Sequence, residues 1–273
     1  MKSPKKLIIN ADDYGACDAV NTAIEELAAA QLLGGVSILA NGKLWEAATE
    51  FLRAHPPISA GIHLNLIEGL PVSTSPEINA LLGNDQTLLA RNALLARWIR
   101  HPLRVTYAVE LEWRAQIERL LNSGLHLTHA DSHQHVHAFP KAFRLAVKLC
   151  KDYGIPALRI PRERHRGRAR MLSTWALHAN LALSLRHTET APLKHNDHFL
   201  GFKRAGGYGI DDLLLDLATL SEGVTELALH PSTQNFVPYP TLRGKDEYDA
   251  LRSSELQAEL ARLQITLMSW SDL

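Results

Sequence analysis

The feature that most constrains the fold of this chain is a regular alternation between short apolar runs of β type and segments with helical periodicity. The first pair is typical: residues 7–11 (LIINA) form a β-type run, and apolar side chains then recur at helical spacing from 18 to 32. Further strands are predicted at 36–40, 59–66, 127–132, 157–161, 198–203, 226–230 and 266–270. Further helices are predicted at 44–54, 105–122, 139–153, 171–185, 210–220 and 253–263.

Repeated β-then-α units favour a parallel sheet covered by helices. In a chain of 273 residues, this repetition predicts an α/β fold: a distorted (β/α) barrel of seven or eight parallel strands. An open doubly wound sheet is the alternative. No repeat, low-complexity tract or linker divides the sequence, so we expect a single domain over residues 1–273. Prolines and a glycine break the rhythm over residues 70–104, where we predict an insertion over one end of the fold.

Composition disfavours several classes of partner. Lys and Arg total 29, as do Asp and Glu, and this balance gives no support for nucleic acid as the main partner. The two cysteines, Cys17 and Cys150, lack the spacing of a zinc knuckle or a disulfide framework, which favours a reducing compartment. The first apolar run ends after three residues, and no apolar stretch approaches the roughly 20 residues of a membrane span. We therefore expect a soluble, cytoplasmic protein without an integral membrane segment.

Unusual polar residues follow the predicted strands at their carboxyl ends. In parallel α/β folds the loops after the strands converge at this edge, and binding sites assemble there. The residues concerned are Asp12, Asp13, His63, Asp131, His133, Arg159, Arg162 and His230. Their convergence is stronger evidence for a site than any single motif.

The first of these groups is the adjacent pair Asp12 and Asp13. Two neighbouring carboxylates repel each other in a core unless a cation is near. A helix N-cap beside a solvated carboxylate explains the pair equally well. His63 shares one face of its predicted strand with Asn65, and apolar residues occupy the other face. Taken alone, His63 is more typical of a core histidine than of a metal ligand.

The densest cluster comprises His129, Asp131, His133, His135 and His137. If the strand continues, these odd-numbered positions all face one way, and each buried imidazole needs a partner. Imidazole is the commonest metal ligand in biology, so we predict a metal site here, with the remaining histidines orienting the ligands. A surface histidine run is the alternative, and the interleaved aspartate and apolar flanks disfavour it.

His230 closes the seventh predicted strand, where a capping or structural role is an equal alternative. Two histidines and one carboxylate leave positions on a metal ion for water and a substrate oxygen. A free carboxylate can then deprotonate the water, and a distant histidine can protonate the leaving amine. These roles fall to Asp12 and His230. The constellation indicates metal-assisted hydrolysis of an amide or ester.

Four motifs together resemble the YdjC-like carbohydrate deacetylase family. They are segments 10–15 (NADDYG), 61–64 (GIHL), 129–137 (HADSHQHVH) and 229–231 (LHP), in the family's order. The resemblance covers about residues 5 to 235. It implies a distorted (β/α) barrel and the hydrolytic removal of acetyl groups from N-acetylated sugars.

The resemblance also implies residue roles, carried over by position. It makes Asp13, His63 and His133 the ligands of one divalent metal ion, magnesium or zinc. It makes Asp12 the general base and His230 the general acid. Arg159 matches a strand-end arginine of the family and would steer Asp12 or hold substrate, although an ordinary exposed arginine is an equal alternative. We group it with Asp131, His135 and His137 as residues that bind substrate or support the ligands.

The motifs do not identify the substrate. Five arginines between 162 and 170 are typical of a solvated face, but they would also suit an anionic group such as phosphate. The apolar stretch after them is more typical of a core helix, although basic run and apolar helix together fit a peripheral membrane contact. This region resembles the hopanoid- or glycolipid-associated branch of the family more than the chitobiose branch.

Two other classes of protein stay open. One is a different metallohydrolase on the same scaffold, such as a deformylating amidase or a phosphoesterase, although phosphoesterases often use two metals. The other is a non-catalytic sugar-binding relative, which the presence of both Asp12 and His230 disfavours. Barrel enzymes of this kind are often homodimers, and the sequence leaves the oligomeric state open.

Overall fold

The computed structural model describes residues 4–163, 182 and 193–273. Apart from residue 182, the predicted helix at 171–185 lies outside the described residues, as do the arginines of the basic run beyond Arg162. Strands occupy most of the predicted positions, although β5 is reduced to two residues. They are β1 (Lys5–Tyr14), β2 (Gly35–Ile38), β3 (Ala60–Leu64), β4 (His129–Ser132), β5 (Ala157–Leu158), β6 (His198–Leu200), β7 (Gly223–Leu229) and β8 (Ile265–Leu267).

All of these strands belong to one parallel sheet in the order β5-β4-β3-β2-β1-β7-β6, with β8 paired to the first residues of β1. Glu163, which follows β5, forms a parallel bridge to Phe199 of β6. Ala157 of β5 forms another to Lys194, which precedes β6. These bridges bring the two edges of the sheet together, so the sheet curls into a half-barrel. The predicted distorted barrel of seven or eight parallel strands is confirmed.

The helices connect successive strands, as the alternating pattern requires. They are α1 (Asp18–Ala29), α2 (Trp45–Ala54), α3 (Arg91–Arg100), α4 (Pro102–Asn122), α5 (Pro140–Asp152), α6 (Ile210–Ala218), α7 (Gly244–Leu251) and α8 (Ser254–Arg262). The sequence prediction lacks α3 and α7, which have only ten and eight residues. Within the described ranges, no helix is long and apolar enough to cross a membrane.

Residues 70–104, predicted as an insertion, contain a 3-10 turn (Pro76–Ala80) and helix α3. Trp98 of α3 is buried in the main apolar core. Glu112 of α4 anchors the start of the segment by accepting a hydrogen bond of 2.8 Å from the backbone N–H of Val72. These contacts hold the segment against the barrel; its status as an insertion stays a prediction.

The strands present apolar side chains to the helices and polar side chains to the inside of the curl. On β1, Leu7 and Ile9 join an apolar core cluster, and burial of such surface stabilises a fold by roughly 25 cal/mol per Å². Asn10 points inward instead and accepts a hydrogen bond of 3.1 Å from Trp270 Nε1. The Trp270 ring stacks on His129, with ring centroids 4.6 Å apart. Trp270 and His129 thus line the inside of the curl, on the amino-terminal side of the polar groups at the strand ends.

Candidate metal and catalytic site

The end of β1 separates the two adjacent aspartates. The pairing of β1 with β2 shifts register between Ala11 and Tyr14, and Asp13 has a left-handed backbone with φ of 63°. Such an irregularity re-aims the side chains of a strand. The carboxylate of Asp12 therefore meets Arg159, whereas that of Asp13 meets histidines. Neither carboxylate caps the helix that follows.

Asp13, His63 and His133 form a buried cluster in which one potential ligand atom from each lies within 4.8 Å of the others. His63 Nε2 is 3.4 Å and His133 Nδ1 is 2.9 Å from Asp13 Oδ1. His63 Nδ1 donates to Asp131 Oδ1 at 2.7 Å. This hydrogen bond orients the ring and directs Nε2 to the cluster, which is a common arrangement around metal sites.

The chemistry of this cluster fits a divalent metal ion. Asp13 Oδ2 and His133 Nε2 are buried without a hydrogen-bond partner among the described residues. Each unpaired buried group costs about 1–3 kcal/mol, and coordination of a cation would remove this cost at the atom that binds it. Two imidazoles and a carboxylate suit zinc and leave coordination positions open, whereas magnesium prefers oxygen ligands.

A second group of potential ligands, Asp12, His63 and Asp131, lies beside the first. Arg159 already neutralises its carboxylates: the guanidinium donates to the two oxygens of Asp12 at 2.8 and 2.7 Å and lies 2.6 Å from Asp131 Oδ2. Arg159 Nε also donates to Glu226 Oε1 at 2.7 Å. Because one buried arginine serves these three carboxyl groups, the Asp13 cluster is the better metal site.

Both aspartates are held in their ionised form. Burial favours the neutral form of Asp12, but Arg159 outweighs this and keeps the pKa of Asp12 well below its usual range. Burial likewise opposes ionisation of Asp13, yet neighbouring His133 lowers the pKa of Asp13 to about 2. At neutral pH, Asp13 can therefore act as a ligand and Asp12 as a proton acceptor.

The histidine ladder expected from odd-numbered spacing does not continue past the end of β4. The strand ends at Ser132, and His133–Ala138 form a 3-10 turn in which His135 has a positive φ of 54°. This left-handed backbone breaks the alternation of an extended strand, so His135 lines the cavity. His137 is buried instead, with Nε2 3.0 Å from the carbonyl oxygen of Arg159. His137 thus supports the segment that positions Arg159.

His230 follows β7 and lines the same cavity as the two aspartates. Its Nδ1 is buried without a partner among the described residues, and its backbone N–H donates to Glu247 at 2.6 Å. His230 lies close enough to both aspartates to contribute electrostatically to the lowered pKa values of Asp12 and Asp13. This position suits exchange of a proton with a bound molecule.

A cavity of about 520 Å³ connects the site with the surface, a volume typical of small-molecule sites. The predicted residues that line it are Asp12, Asp13, His63, His133, His135 and His230. Lining residues absent from the sequence prediction include Glu68, Arg91, Gln134, Phe202 and Tyr239. The Tyr239 ring lies 5.3 Å from that of His133.

Arg159 is fully buried, so the alternative of an exposed arginine is wrong. Arg162 is exposed and does not line the cavity. Glu226 is the main residue that sequence reasoning missed, and an acidic residue inside an apolar strand was the signal that could have revealed it. Tyr239 lies in the loop between β7 and α7, ten residues beyond the end of the strand, and no local pattern marks it.

The fold and the site together define a parallel α/β barrel protein with a histidine–aspartate cluster at the carboxyl ends of its strands. Residues 6–262 match the family described as YdjC-like protein. The chain belongs to the YdjC-like family, and the resemblance recognised from its motifs is confirmed.

Several curated relatives are named carbohydrate deacetylase. One from Brevibacillus brevis is 35% identical over 157 residues, covering 55% of this chain and 58% of the relative. One from Danio rerio is 35% identical over 167 residues, covering 60% of this chain and 52% of the relative. One from Thermoanaerobacter pseudethanolicus is 26% identical over 230 residues, covering 84% of this chain and 81% of the relative. The match to the first two thus spans little more than half of their length.

The fold also matches a solved structure along its full length. An Enterococcus faecalis V583 protein, provisionally described as a cellobiose-phosphate cleavage protein, is 26% identical and superposes with a TM-score of 0.77. The superposition covers 99% of both chains.

Proposed function

We propose that this protein is a metal-dependent hydrolase that removes the N-acetyl group from an N-acetylated sugar, oligosaccharide or glycolipid. The observation that carries the proposal is the buried Asp13–His63–His133 cluster, which shares one cavity with Asp12 and His230. The names of the curated relatives support a carbohydrate as the substrate class.

Asp12 and His230 divide the proton transfers in this proposal. A divalent ion bound by the cluster supplies Lewis-acid activation of the amide carbonyl and of water. Asp12 accepts the proton of the attacking water, because it lines the cavity and its contacts with Arg159 keep it ionised. The same contacts hold the carboxylate in one orientation. His230 donates a proton to the leaving amine nitrogen of the sugar.

Acetate release from a panel of N-acetylated sugars, including chitobiose and lipid-linked glycans, tests the proposal. The metal-loaded wild type should release acetate, and EDTA should abolish the release. Asp12→Asn should lower kcat by on the order of 10²–10⁴ while it retains metal, whereas Asp13→Asn should lose the metal itself. Glu50→Gln, at an exposed position of α2, is the matched control and should behave as wild type.

Other products would point to other reactions. Formate release would favour a deformylating amidase, and phosphate release from a sugar phosphate would favour a phosphoesterase. Metal binding without turnover of any substrate would favour a non-catalytic sugar-binding protein. A cytoplasmic location and a homodimer stay predictions, as do magnesium or zinc as the physiological metal.

A further inference from the structure

Helices α3 and α4 carry three large apolar side chains that are open to solvent. Ile99 is 84% exposed, Leu103 is 87% exposed and Tyr107 is 54% exposed. Leu103 and Tyr107 are one helical turn apart, so they share a face of α4. We call this patch, with the exposed arginines Arg100 and Arg104 beside it, the α3–α4 surface. Contiguous exposed apolar side chains are uncommon unless they contact a partner.

A groove of about 370 Å³ extends the α3–α4 surface toward the start of α5. Leu95 and Ile99 line one side, and Phe139 and Pro140 line the other. Its walls are mostly apolar, with Lys141 as the charged lining residue. The groove therefore adds apolar area to the patch and places a further cation at its edge.

The charge of this region has one sign. Residues 86–109 contain four arginines and no Asp or Glu. The first acidic residue beyond them, Glu110, pairs with Arg114 at 2.9 Å and with Lys148 at 2.6 Å. Arg100 and Arg104 are exposed and have no ion-pair partner among the described residues. The surface thus combines apolar side chains with uncompensated positive charge.

We propose that the α3–α4 surface docks on an anionic lipid membrane. Apolar side chains that enter the headgroup boundary, with arginines beside them on anionic headgroups, are the chemistry of peripheral membrane binding. A second copy of the chain is a poorer match, because a two-fold interface would bring together two cationic patches in which residues 86–109 offer no acidic partner. The proposal uses none of the arginines of the basic run at 162–170.

Because α3 also borders the cavity of the candidate site, docking would affect where that cavity lies relative to the membrane. Arg91 at the start of α3 lines the cavity, and Ile99 lies eight residues further, about 12 Å along the helix axis. Docking would therefore hold the mouth of the cavity close to the headgroups. The docking proposal stands independently of the proposed reaction, since it concerns binding alone.

Flotation with lipid vesicles tests the proposal, using the full chain and phosphatidylcholine vesicles with or without phosphatidylglycerol. The wild type should bind only the anionic vesicles, and higher ionic strength should weaken binding. Arg100→Gln/Arg104→Gln should weaken it by about fivefold per arginine, on the order of 30-fold for the pair. Ile99→Ser/Leu103→Ser should weaken it by at least about tenfold.

The matched control is Arg53→Gln/Leu215→Ser, which removes one exposed cation and one exposed apolar side chain from α2 and α6. This control should bind like the wild type. Failure of the wild type to bind anionic vesicles would overturn the proposal, as would equal binding by the Ile99→Ser/Leu103→Ser variant. Sedimentation would identify a protein interface instead if the wild type, without vesicle binding, were a dimer that this variant dissociates.

Discussion

Glu226 is the most unusual single residue of the interior, because it interrupts the apolar strand β7 and is fully buried. Burial raises the pKa of its carboxyl group to about 8, although Arg159 acts in the opposite direction. Its Oε2 has no partner among the described residues. Glu226 is therefore mostly protonated at neutral pH, and Arg159 is left to balance Asp12 and Asp131.

Glu226→Gln should gain stability relative to the wild type as pH rises. The pKa of Glu226 is about 8 in the folded protein and near 4.5 in the unfolded chain, so the folded state holds the proton longer. The stability from this proton is complete below about pH 4.5 and is lost toward pH 8, by up to about 1.4 kcal/mol per unit. Glutamine removes this loss because it does not ionise.

Urea unfolding of Glu226→Gln and wild type between pH 5 and 8 measures this difference. Exposed Glu50→Gln on α2 provides the control and should show a constant difference from wild type over the same range. A constant difference for Glu226→Gln as well would show that Glu226 is ionised in the folded protein.

His63 combines two features that matter for metal binding. Burial lowers its pKa, but the surrounding carboxylates, led by Asp131, raise the pKa of His63 to about 9. A histidine must lose its proton before it binds a metal ion. The metal-free protein therefore holds a proton on His63 at neutral pH, and metal binding has to release it.

Metal affinity should consequently rise with pH, by up to about tenfold per unit, until the pH reaches about 9. Calorimetric titration with zinc in buffers of different ionisation enthalpy would measure both the affinity and the released proton. Asp131→Asn should flatten this dependence, because it removes the carboxylate that accepts the hydrogen bond from His63 Nδ1. A pH-independent affinity in the wild type would show that His63 is neutral before the metal binds.

At the scale of elements, Gly61 sets how closely β3 approaches β4. A Cβ on Gly61 would lie 2.3 Å from Nε2 of His129, whose ring is already stacked on Trp270. The imidazole cannot move away, so a side chain at Gly61 would separate the strands. Because His63 lies two residues later on the same strand, this displacement would reach the metal cluster.

Gly61→Ala should therefore lower the free energy of unfolding by about 1–3 kcal/mol and weaken metal binding. Gly209→Ala is the matched substitution, since no atom lies within 4 Å of a Cβ there and its φ is −95°. Its effect on stability should stay below about 1 kcal/mol. Urea unfolding and metal titration of both variants check this. Equal effects at the two glycines would mean that β3 and His129 adjust without cost.

At the scale of the whole molecule, the inside of the half-barrel carries more acidic than basic groups. Asp12, Asp13 and Asp131 are buried there as carboxylates, with Arg159 as the cation that pairs with two of them. A divalent ion at Asp13 would balance this excess. Stability of the complete fold should therefore depend on the metal.

Metal at about 100 times its Kd should raise the free energy of unfolding by about 2.7 kcal/mol. For a chain of this length, the corresponding increase in Tm is about 5–10 °C. Scanning calorimetry with and without zinc, followed by EDTA, measures this shift. Asp13→Asn should show no increase. An increase of equal size in that variant would indicate a metal site elsewhere in the protein.

The alternation of strands and helices was determined by the sequence alone, because hydrophobic periodicity is a local property of a few successive residues. The placement of Asp12, Asp13, His63, His133 and His230 at one edge followed from the same pattern, since parallel strands end together. Helix α3 was missed because it lies in the proline-broken segment 70–104, and α7 was missed because its eight residues span barely two helical turns.

Only the tertiary structure decided how these residues pair. An irregularity in β1, absent from any hydrophobic pattern, turns Asp13 to the histidines and Asp12 to Arg159. The hydrogen bonds of Arg159 to Asp12 and Glu226 join residues 147 and 67 positions apart. Contacts at such separations depend on the curl of the sheet, which brings distant strand ends within hydrogen-bonding distance. The sequence by itself carries no local signal for them.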